Sequence, residues 1–395
     1  MAEKRNLLHL LMLVFVTALL FGLQVQEAKA AWGDLDLSFG SNGIYQDSVT
    51  DHYPTSLLVQ PDGKILVTGH RLTSTGKQRF FLRRYLSNGS PDTSFGNGGS
   101  AVINAFIATN GDYSGQRITL LSNGKIAVVG AGNGSLTIWQ VNSNGYGDTG
   151  FGQGGMRVLF DYPATYNSVR IGTLGSRLII GLDKMSIERI ILIRLNIDGS
   201  LDTSFGNSGE SLTSLTSFRG FEILTENDTK KITVAGHTVN TYEVALDRKL
   251  STGADELFFV TSSDGAYPLS PFGGLVKQSS GKYIVQYTES PDSYGYGYLS
   301  RFNANGTPDI RFYYGIGVIR FVGIQQDSKV IAGGVHRYVR YNANLDSSSQ
   351  ESFSTYTELF WSLEYERTAI QPDDKLVFVG RNSQGNLTLV RLLAN

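Results

Sequence analysis

The chain contains no cysteine among its 395 residues, and this absence excludes several classes of protein. Without cysteine there is no disulfide framework, no thiolate metal site and no lipid-modified cysteine at a signal cleavage site. The fold must therefore be stabilised by its hydrophobic core. With 41% hydrophobic residues, a chain of this length can bury a core of the necessary size.

Charged residues are also scarce. Asp, Glu, Lys and Arg make up 17% of the chain, and the formal net charge is −1. Nucleic acids and anionic membranes attract proteins that carry a basic field, and this composition provides none. We therefore expect no nucleic-acid partner.

Few stretches of the chain have apolar residues at the spacing of a helix. The N-terminus is different, because it contains a long apolar stretch. Lys4 and Arg5 precede an apolar stretch at 7–23, and Ala28 and Ala30 provide small residues for cleavage. Residues 1–30 therefore read as a secretory signal peptide, whereas a transmembrane anchor would require a basic cluster after the apolar stretch. We expect a secreted protein, extracellular or periplasmic, with no membrane insertion after cleavage.

Three short patterns recur along the chain, and self-similarity of this kind indicates a repeat fold. The first is a tight turn followed by a basic residue and an apolar run. Its seven copies lie at 62–64, 123–125, 175–177, 228–230, 280–282, 327–329 and 373–375. The second is an Arg five residues before a turn Gly, as in Arg84 and Gly89. The third is an acid three residues after that Gly and a Phe three residues further on, as in Asp92 and Phe95.

The seventh unit is divided between the two ends of the sequence. Arg391 begins a copy of the second pattern close to Asn395, and the segment after Gly33 supplies the matching acid and aromatic residue as Asp36 and Phe39. Joining the two ends restores a unit with the spacing of the others. A linear array has no reason to complement its own ends, whereas a closed ring does.

Each unit contains four short runs suited to β-strands. In the first unit they cover 55–60, 64–69, 80–86 and 100–104, and the Asp-Gly pair between the first two favours a hairpin turn. Four strands per unit are typical of a propeller blade. We predict an all-β, seven-bladed β-propeller over residues 31–395, with four antiparallel strands per blade and the last blade closed by the N-terminal strand.

An Arg with an acid eight residues later occurs five times. The pairs are 84/92, 194/202, 248/256, 301/309 and, across the join, 391/36. A catalytic pair would not be copied around a ring. We predict partly buried structural pairs, in which the Arg fork binds the carboxylate or turn carbonyls.

The units differ in length mainly in the connection between their second and third strands. In a blade, this connection and the connection to the next blade emerge at the same end of the ring, which we call the variable-loop face. The repeated turns lie at the opposite end, the anchor-turn face. Binding residues usually lie on variable loops, so we expect the functional surface on the variable-loop face.

Three histidines are predicted to approach that face. His70 and His237 follow the second-strand Gly of their units, and His336 lies one step further on. Histidines can ligate a metal or act as a general base. However, positions in blades one, four and six need not converge, so we predict neither a metal site nor catalytic residues and retain the three as candidate binding residues.

Aromatic residues are concentrated at 287–298 and 356–365, which we interpret as variable loops. Exposed aromatic rings beside carboxylates suit sugars, which stack their apolar faces and hydrogen-bond around their edges. The alternative is packing between blades. The candidate binding residues from these stretches are Tyr294, Tyr296, Tyr298 and Trp361.

One glycine-rich stretch, 150–155, has the spacing of a dinucleotide-binding fingerprint. It is a copy of the repeated turn and no helix follows it, so the fingerprint lacks its structural context. We predict no cofactor.

The repeated units resemble a known family. The segments 201–209 and 60–69 and the turn from Arg194 to Gly199 are similar to the delta-60 repeat of bacterial exported proteins. The resemblance is strongest in the first two units and around Asp202, and it weakens at 256–259 and 345–353. It implies a β-propeller in an exported or surface protein, and it carries over no catalytic residues.

Two functions remain open at the level of sequence. The first is a monomeric, non-catalytic binding module on the variable-loop face, with carbohydrate, another surface polymer or a surface protein as its partner. The second is a lyase or hydrolase housed in the propeller, with one of the three histidines as base. The two differ in whether polar groups converge on one reacting atom.

Overall fold

A computed structural model describes residues 31–103, 112–132, 134–163, 169–214, 218–238, 243–260, 269–289, 296–316, 319–334, 337–354 and 364–394. Within these ranges the chain forms seven antiparallel sheets and no α-helix. The helical segments described are the 3-10 turns Met185–Ile187 and Ser347–Ser349, and neither is long enough to cross a membrane.

The strands follow one another in blade order. The N-terminal strand is β1 (Ile44–Gln46). Blades 1 to 3 contain β2 (His52–Val59), β3 (Ile65–Leu72), β4 (Gln78–Tyr85), β5 (Tyr113–Leu120), β6 (Ile126–Gly132), β7 (Ser135–Val141), β8 (Met156–Pro163), β9 (Val169–Leu174), β10 (Arg177–Lys184), β11 (Arg189–Leu195) and β12 (Glu210–Leu212). Blades 4 to 7 contain β13 (Phe218–Glu226), β14 (Lys231–Thr238), β15 (Val244–Leu250), β16 (Asp255–Val260), β17 (Leu269–Lys277), β18 (Tyr283–Glu289), β19 (Tyr296–Phe302), β20 (Pro308–Ile316), β21 (Ile319–Ile324), β22 (Val330–Gly334), β23 (Arg337–Tyr341), β24 (Glu351–Ser354), β25 (Glu364–Ile370), β26 (Leu376–Arg381) and β27 (Leu387–Leu392).

The seven sheets form a closed ring, as predicted. The first strand of each blade contacts the first strand of the next blade in the series β2, β5, β9, β13, β17, β21, β25, and β25 contacts β2 again. These seven innermost strands therefore surround a central channel. Their outward neighbours in each sheet are the second, third and fourth strands in turn.

The hydrophobic core consists of seven apolar clusters, one at each interface between neighbouring blades. Strand side chains alternate between the two faces of a sheet, so each blade supplies residues to two clusters. In β10, for example, Ile179 packs toward blade 4 and Ile180 toward blade 2. Both side chains are fully buried.

The ring is closed by the N-terminal strand, which confirms the predicted division of the seventh blade. β1 lies at the outer edge of the sheet that contains β25, β26 and β27, and it pairs antiparallel with β27 at Ile44↔Val390 and Gln46↔Thr388. The buried side chain of Phe39 joins the cluster between blades 7 and 1.

Blade 1 differs from the prediction in its outermost strand. In the run predicted at 100–104, Ser100 forms an isolated bridge with Arg83 and Ala101 donates to the carbonyl of Leu82, so the described part of blade 1 has three regular strands. The reason is that Val102 turns away and bridges Tyr146 of blade 2 instead. Residue 104 lies outside the described ranges.

The repeated Arg–acid pairs are formed, as predicted. Arg84, Arg194, Arg248 and Arg301 each donate through Nε to the acid of the same blade at 2.5–2.8 Å. Arg391 forms an ion pair with Asp36 at 2.9 Å. The guanidinium of each also donates to a backbone carbonyl of the next blade, as Arg84 does to Ser143 at 2.6 Å. The pair therefore joins neighbouring blades.

The first sequence pattern contributes to the same contacts. The basic residue of this pattern binds the blade's acid in four blades, through Lys125, Arg177, Lys282 and Lys375. In blade 4 the contact to Glu256 comes from Lys231, one residue after the predicted Lys230. In blade 7, burial alone would raise the pKa of Asp36, but hydrogen bonds from Ser38 and Lys375 and the charge of Arg391 outweigh it and hold that pKa at about 2.

The sixth blade retains this arrangement in altered form. Arg340 binds Glu351, which lies eleven residues later, and also donates to the carbonyl of Ala394 in blade 7. The guanidinium lies 4.7 Å from the centre of the Trp32 ring. Trp32 takes the place of the Phe that packs on this Arg in other blades. The longer spacing explains why the sequence pattern missed this pair.

We expect the Arg194–Asp202 pair to be energetically coupled. Both side chains are 7% exposed, so removal of either partner leaves a buried charge or an unsatisfied donor. Arg194→Ala and Asp202→Ala should each destabilise the protein, with a coupling energy of roughly 0.5–3 kcal/mol in a double-mutant cycle measured by urea denaturation.

The exposed pair Lys329–Asp327 is a matched control, because its side chains are 38% and 48% exposed. Solvent screening should limit its coupling energy to about 0.2–1 kcal/mol. Additive effects of Arg194→Ala and Asp202→Ala would show that the buried pair does not act as one unit.

Candidate functional site

His70 is held in a layered stack that spans three blades. Its ring lies parallel to the ring of Tyr53, with centroids 4.9 Å apart and an interplanar angle of 4°. The guanidinium of Arg381, from blade 7, lies 4.0 Å from the centre of the Tyr53 ring. The Oγ of Ser114, from blade 2, is 3.3 Å from the Nδ1 of His70.

The surroundings of His70 lower its pKa and so favour the neutral imidazole. Burial lowers the pKa of the imidazole, and the positive charge of Arg381 lowers it further. The contacts described for His70 are with Tyr53 and Ser114, and no carboxylate is among them. A general base normally has an orienting carboxylate or carbonyl, so the surroundings of His70 are those of a packed aromatic residue.

His237 lies in a different part of the ring. It belongs to β14 of blade 4, where it pairs in register with Arg219 and Val244. No contact described for His70 involves blade 4. His336 lies outside the described residues. Within the described part of the chain, no three His, Asp or Glu side chains are grouped closely enough to hold a metal ion.

The predicted aromatic site lies partly on strands and partly outside the described residues. Tyr296 and Tyr298 belong to β19 of blade 5 and Tyr287 to β18, so 287–289 and 296–298 are strand residues, while 290–295 lie outside the described residues. Tyr294 and Trp361 fall outside the described residues. The interpretation of 287–298 as one loop was therefore wrong, because the stretch includes the ends of two paired strands.

Three tyrosines form a row across blade 5, which we call the tyrosine ladder. Tyr287, Tyr298 and Tyr313 lie opposite one another on β18, β19 and β20. The ring centroids of Tyr287 and Tyr298 are 5.6 Å apart with an interplanar angle of 13°, and those of Tyr298 and Tyr313 are 5.5 Å apart. Residues opposite on neighbouring strands share one face of the sheet, so the row extends outward from the core.

Exposure increases along the ladder. Tyr287 is 2% exposed and packs in the cluster between blades 4 and 5, whereas Tyr313 is 47% exposed. Tyr298 is partly exposed; it contacts Tyr287, and the guanidinium of Arg311 lies 4.5 Å from its ring centre. Tyr296 is partly exposed, and its ring centroid lies 6.1 Å from that of Tyr313. The most accessible ring is therefore Tyr313, and the partly exposed ring of Tyr296 lies beside it.

Sequence reasoning missed Tyr313 because it lies outside both aromatic-rich stretches. A usable signal was present in the register of the repeat. β20 is the fourth strand of blade 5, and antiparallel pairing with β19 places Tyr313 opposite Tyr298. Locating that pair requires the position of a bulge at Gly297/Tyr298, which the sequence alone does not fix.

A second group of polar side chains, the channel triad, lies in the central channel. It consists of Arg117 on β5, Arg170 on β9 and Glu222 on β13. Arg170 donates through Nε to Glu222 at 2.7 Å, and the Nη2 of Arg117 is 3.9 Å from the same carboxylate oxygen. Arg117 belongs to blade 2 and Glu222 to blade 4, so Arg117 must reach past blade 3 on the channel side.

The channel triad was not predicted from the sequence. Its members occupy one equivalent position in the first strands of blades 2, 3 and 4, and Arg367 occupies that position in blade 7. The three recurring sequence patterns do not include this position. Only the closure of the ring brings the first strands of blades 2 and 4 to either side of blade 3. Distances between non-neighbouring blades are a property of the ring and have no counterpart in a single repeat.

Comparison with known proteins agrees with the fold. A family model described as "Domain of unknown function (DUF5122) beta-propeller" matches residues 60–95 and 178–205. The first segment spans the hairpin turn and the Arg–acid pattern of blade 1, and the second spans most of β10 and the Arg–acid pattern of blade 3. No curated protein sequence matches the chain.

Solved structures show the same architecture at low sequence identity. One similar structure is the Dos1 propeller, with a TM-score of 0.51 and 11% identity, covering 89% of this chain and 94% of that one. Another is a puromycin hydrolase, with a TM-score of 0.50 and 12% identity, covering 86% of this chain and 53% of that one. At such identities the likeness shows the propeller fold alone.

Proposed function

We propose that this protein is a non-catalytic binding propeller that takes carbohydrate on the variable-loop half of blade 5. The observation that carries the proposal is the tyrosine ladder, which ends in the exposed ring of Tyr313 beside Tyr296. A sugar stacks its apolar face on such a ring, and its hydroxyl groups need polar partners at the edge.

The ladder holds its outer rings in place, which favours binding. Tyr298 is fixed between Tyr287 and Arg311, and Arg311 donates to the hydroxyl of Tyr287 at 2.9 Å. Tyr313 packs against this fixed ring at 5.5 Å. A rigid aromatic platform loses little conformational entropy when a ligand binds, so more of the contact energy contributes to affinity.

The enzyme alternative has less support. His70 and His237 lie in blades 1 and 4, and the contacts described for His70 include no acid. The proposal therefore assigns His70 to the stack with Tyr53 and Arg381. It assigns no catalytic role to the histidines.

The cellular setting is part of the same proposal. The signal-like residues 1–30 and the resemblance to delta-60 repeats favour an exported protein whose mature chain is 31–395. Outside the cell, surface polysaccharide is a ligand that a monomeric binding module would encounter. A surface protein as ligand is the alternative outcome of the binding test below.

We expect Tyr313→Ala and Tyr296→Ala each to weaken carbohydrate binding by about tenfold, as loss of an aromatic contact worth 1–1.5 kcal/mol implies. The mature chain would be screened on a glycan array, and its affinity for the best glycan measured by isothermal titration calorimetry for each variant.

Tyr146→Ala is the matched control, because Tyr146 is 48% exposed but lies in a repeated turn of blade 2, on the anchor-turn face. The affinity of the Tyr146→Ala variant for the best glycan should stay within twofold of that of the unmodified chain. The proposal would be contradicted if no glycan on the array bound the protein, or if Tyr313→Ala left the affinity for the best glycan unchanged. Either result would leave a protein ligand as the alternative.

A further inference from the structure

Asparagine is followed by glycine at several points of the chain, in the pairs 42–43, 88–89, 97–98, 110–111, 123–124, 133–134, 144–145 and 305–306. Residues 110, 111 and 133 lie outside the described ranges, so the structure describes six complete pairs. The two residues of such a pair can react with each other, because glycine has no side chain to keep its backbone nitrogen away from the asparagine amide. Whether they meet depends on how the fold holds that nitrogen.

In five of the six described pairs a hydrogen bond holds the glycine nitrogen. The N–H groups of Gly43, Gly89, Gly124, Gly145 and Gly306 donate to backbone carbonyls at 2.7–2.9 Å, and each of these glycines is buried or half-buried. In four of the pairs the asparagine side chain is held too. The Oδ1 atoms of Asn88, Asn123, Asn144 and Asn305 each accept from the backbone N–H two residues later at 3.1 Å. Reaction at these pairs requires local opening of the turn.

The pair Asn97–Gly98 is held differently. Asn97 and Ser100 close a two-residue turn, in which the N–H of Asn97 donates to Ser100 at 2.8 Å and the N–H of Ser100 donates to Asn97 at 3.1 Å. Within the described part of the chain, neither the N–H of Gly98 nor the side chain of Asn97 has a hydrogen-bond partner. Both residues are exposed, and no atom lies within 4 Å of the position that a Cβ of Gly98 would take. Solvent therefore reaches both reacting groups.

The same turn recurs in blades 2 and 3 with other residues. Gln153 forms the two hydrogen bonds with Met156, and Asn207 forms them with Glu210. The following residues are Gly154 and Ser208. A glutamine side chain must close a larger ring, and the side chain of a serine hinders its own backbone nitrogen. Of these three turns, only the turn of blade 1 combines an asparagine with an unhindered nitrogen.

We propose that Asn97 is a site of spontaneous deamidation to aspartate and isoaspartate. Water or hydroxide removes the proton from the nitrogen of Gly98, and this nitrogen attacks the Cγ of Asn97. The new N–Cγ bond closes a cyclic imide, the Cγ–Nδ2 bond breaks, and the side-chain nitrogen leaves as ammonia. Water then opens the imide. Cleavage of the N–Cγ bond gives aspartate, and cleavage at the backbone carbonyl carbon of residue 97 gives isoaspartate, in which the chain runs through the former side chain.

The modified turn lies at the contact between blades 1 and 2. The N–H of Gly96 donates to the carbonyl of Asn144 at 2.7 Å, and the N–H of Arg84 donates to the carbonyl of Gly99 at 2.9 Å. Isoaspartate adds a methylene group to the backbone of a two-residue turn, whose length fixes the register of its flanking residues. The two hydrogen bonds between Asn97 and Ser100 cannot both be retained. We therefore expect the modified protein to melt at a lower temperature than the unmodified protein.

The test incubates the mature chain, 31–395, at mildly alkaline pH and follows each asparagine by peptide mapping with mass spectrometry. Fragmentation by electron transfer distinguishes isoaspartate from aspartate. Asn97 should react about tenfold faster than the asparagines of the other five described pairs, since opening a turn hydrogen bond costs about the 1.4 kcal/mol that corresponds to this factor. In urea, where the turns are lost, the six pairs should react at similar rates.

A reciprocal pair of variants provides the matched control. Gly98→Ser should slow the reaction of Asn97 several-fold, and Ser208→Gly should accelerate the reaction of Asn207 several-fold in a turn of the same geometry. Both substitutions suit the backbone, because Gly98 and Ser208 have φ values of +56° and +54°. A thermal melt of each variant establishes that it is folded.

Four results would overturn the proposal. In the folded chain they are an intact Asn97, a rate at Asn97 no higher than at Asn144, and no acceleration of Asn207 in Ser208→Gly. The fourth is the same preference for Asn97 in urea, which would show that the fold does not select the site.

Discussion

Deletion of residues 33–46 is expected to abolish cooperative folding of the ring. This segment supplies the outer strand β1, and its loss exposes the backbone edge of β27. An unpaired edge strand is a template for pairing with other chains, so we expect aggregation as well as destabilisation.

The size of the effect follows from two buried side chains. Phe39 is fully buried between blades 7 and 1, and removal of a buried Phe costs about 3–5 kcal/mol. Asp36 pairs with Arg391 at 2.9 Å, and both side chains are 6–7% exposed, so its loss leaves a buried guanidinium at a further cost of about 3–5 kcal/mol. Together these losses approach the whole stability of a typical domain, about 5–15 kcal/mol.

The measurement is a thermal melt followed by circular dichroism, with light scattering to detect aggregates. Because the deletion variant is expected not to fold, the point variants Phe39→Ala and Asp36→Asn are measured beside it, and each should lower the melting temperature. Leu37→Ala is the control, since Leu37 belongs to the same segment but is 69% exposed. A deletion variant that melts at the temperature of the full chain would show that β1 does not close the ring.

Phe205→Ala is expected to be strongly destabilising. Phe205 is fully buried, and the guanidinium of Arg194 lies 4.8 Å from the centre of its ring. The ring also covers Gly253 of blade 4, where a Cβ atom would lie 3.0 Å from Phe205. The side chain therefore supports the Arg–acid pair of blade 3 and the turn of the next blade together.

We expect Phe205→Ala to lower the free energy of unfolding by about 3–5 kcal/mol, the range for truncation of a buried Phe. Phe160→Ala removes the same atoms from a side chain that is 80% exposed and should change stability by less than about 0.5 kcal/mol. Urea denaturation of both variants measures the difference. A loss below 1 kcal/mol in Phe205→Ala would show that the interface between blades 3 and 4 does not depend on this ring.

The same packing explains why the repeat has a Phe and a turn Gly at fixed spacing. Phe39, Phe95, Phe151 and Phe205 are each fully buried, and each lies against the turn glycine of the following blade. These glycines have φ values of +81° to +90°. A side chain there would be strained by the backbone conformation and would also meet the ring.

The sequence by itself determined the architecture. The repeated hairpin turns predict the number of blades, the unit divided between Arg391 and Asp36 predicts the closure, and the spacing of Arg194 and Asp202 predicts their pairing. These features are local, because each depends on residues within one unit or on the join of the two ends. A local pattern that is copied seven times can be recognised even when single copies are altered, as with Gln140 in the Arg position of blade 2.

Tertiary structure alone decided which side chains can meet a ligand. The sequence predicts Tyr298 to be an exposed binding residue, but its ring is partly buried against Arg311 and Tyr287. Tyr313 was not predicted and is exposed. Arg117 and Glu222 approach across the channel from blades 2 and 4. The physical reason is that a repeat pattern specifies contacts within a blade and between neighbours, while exposure and the meeting of distant blades depend on bulges, register and the curvature of the closed ring.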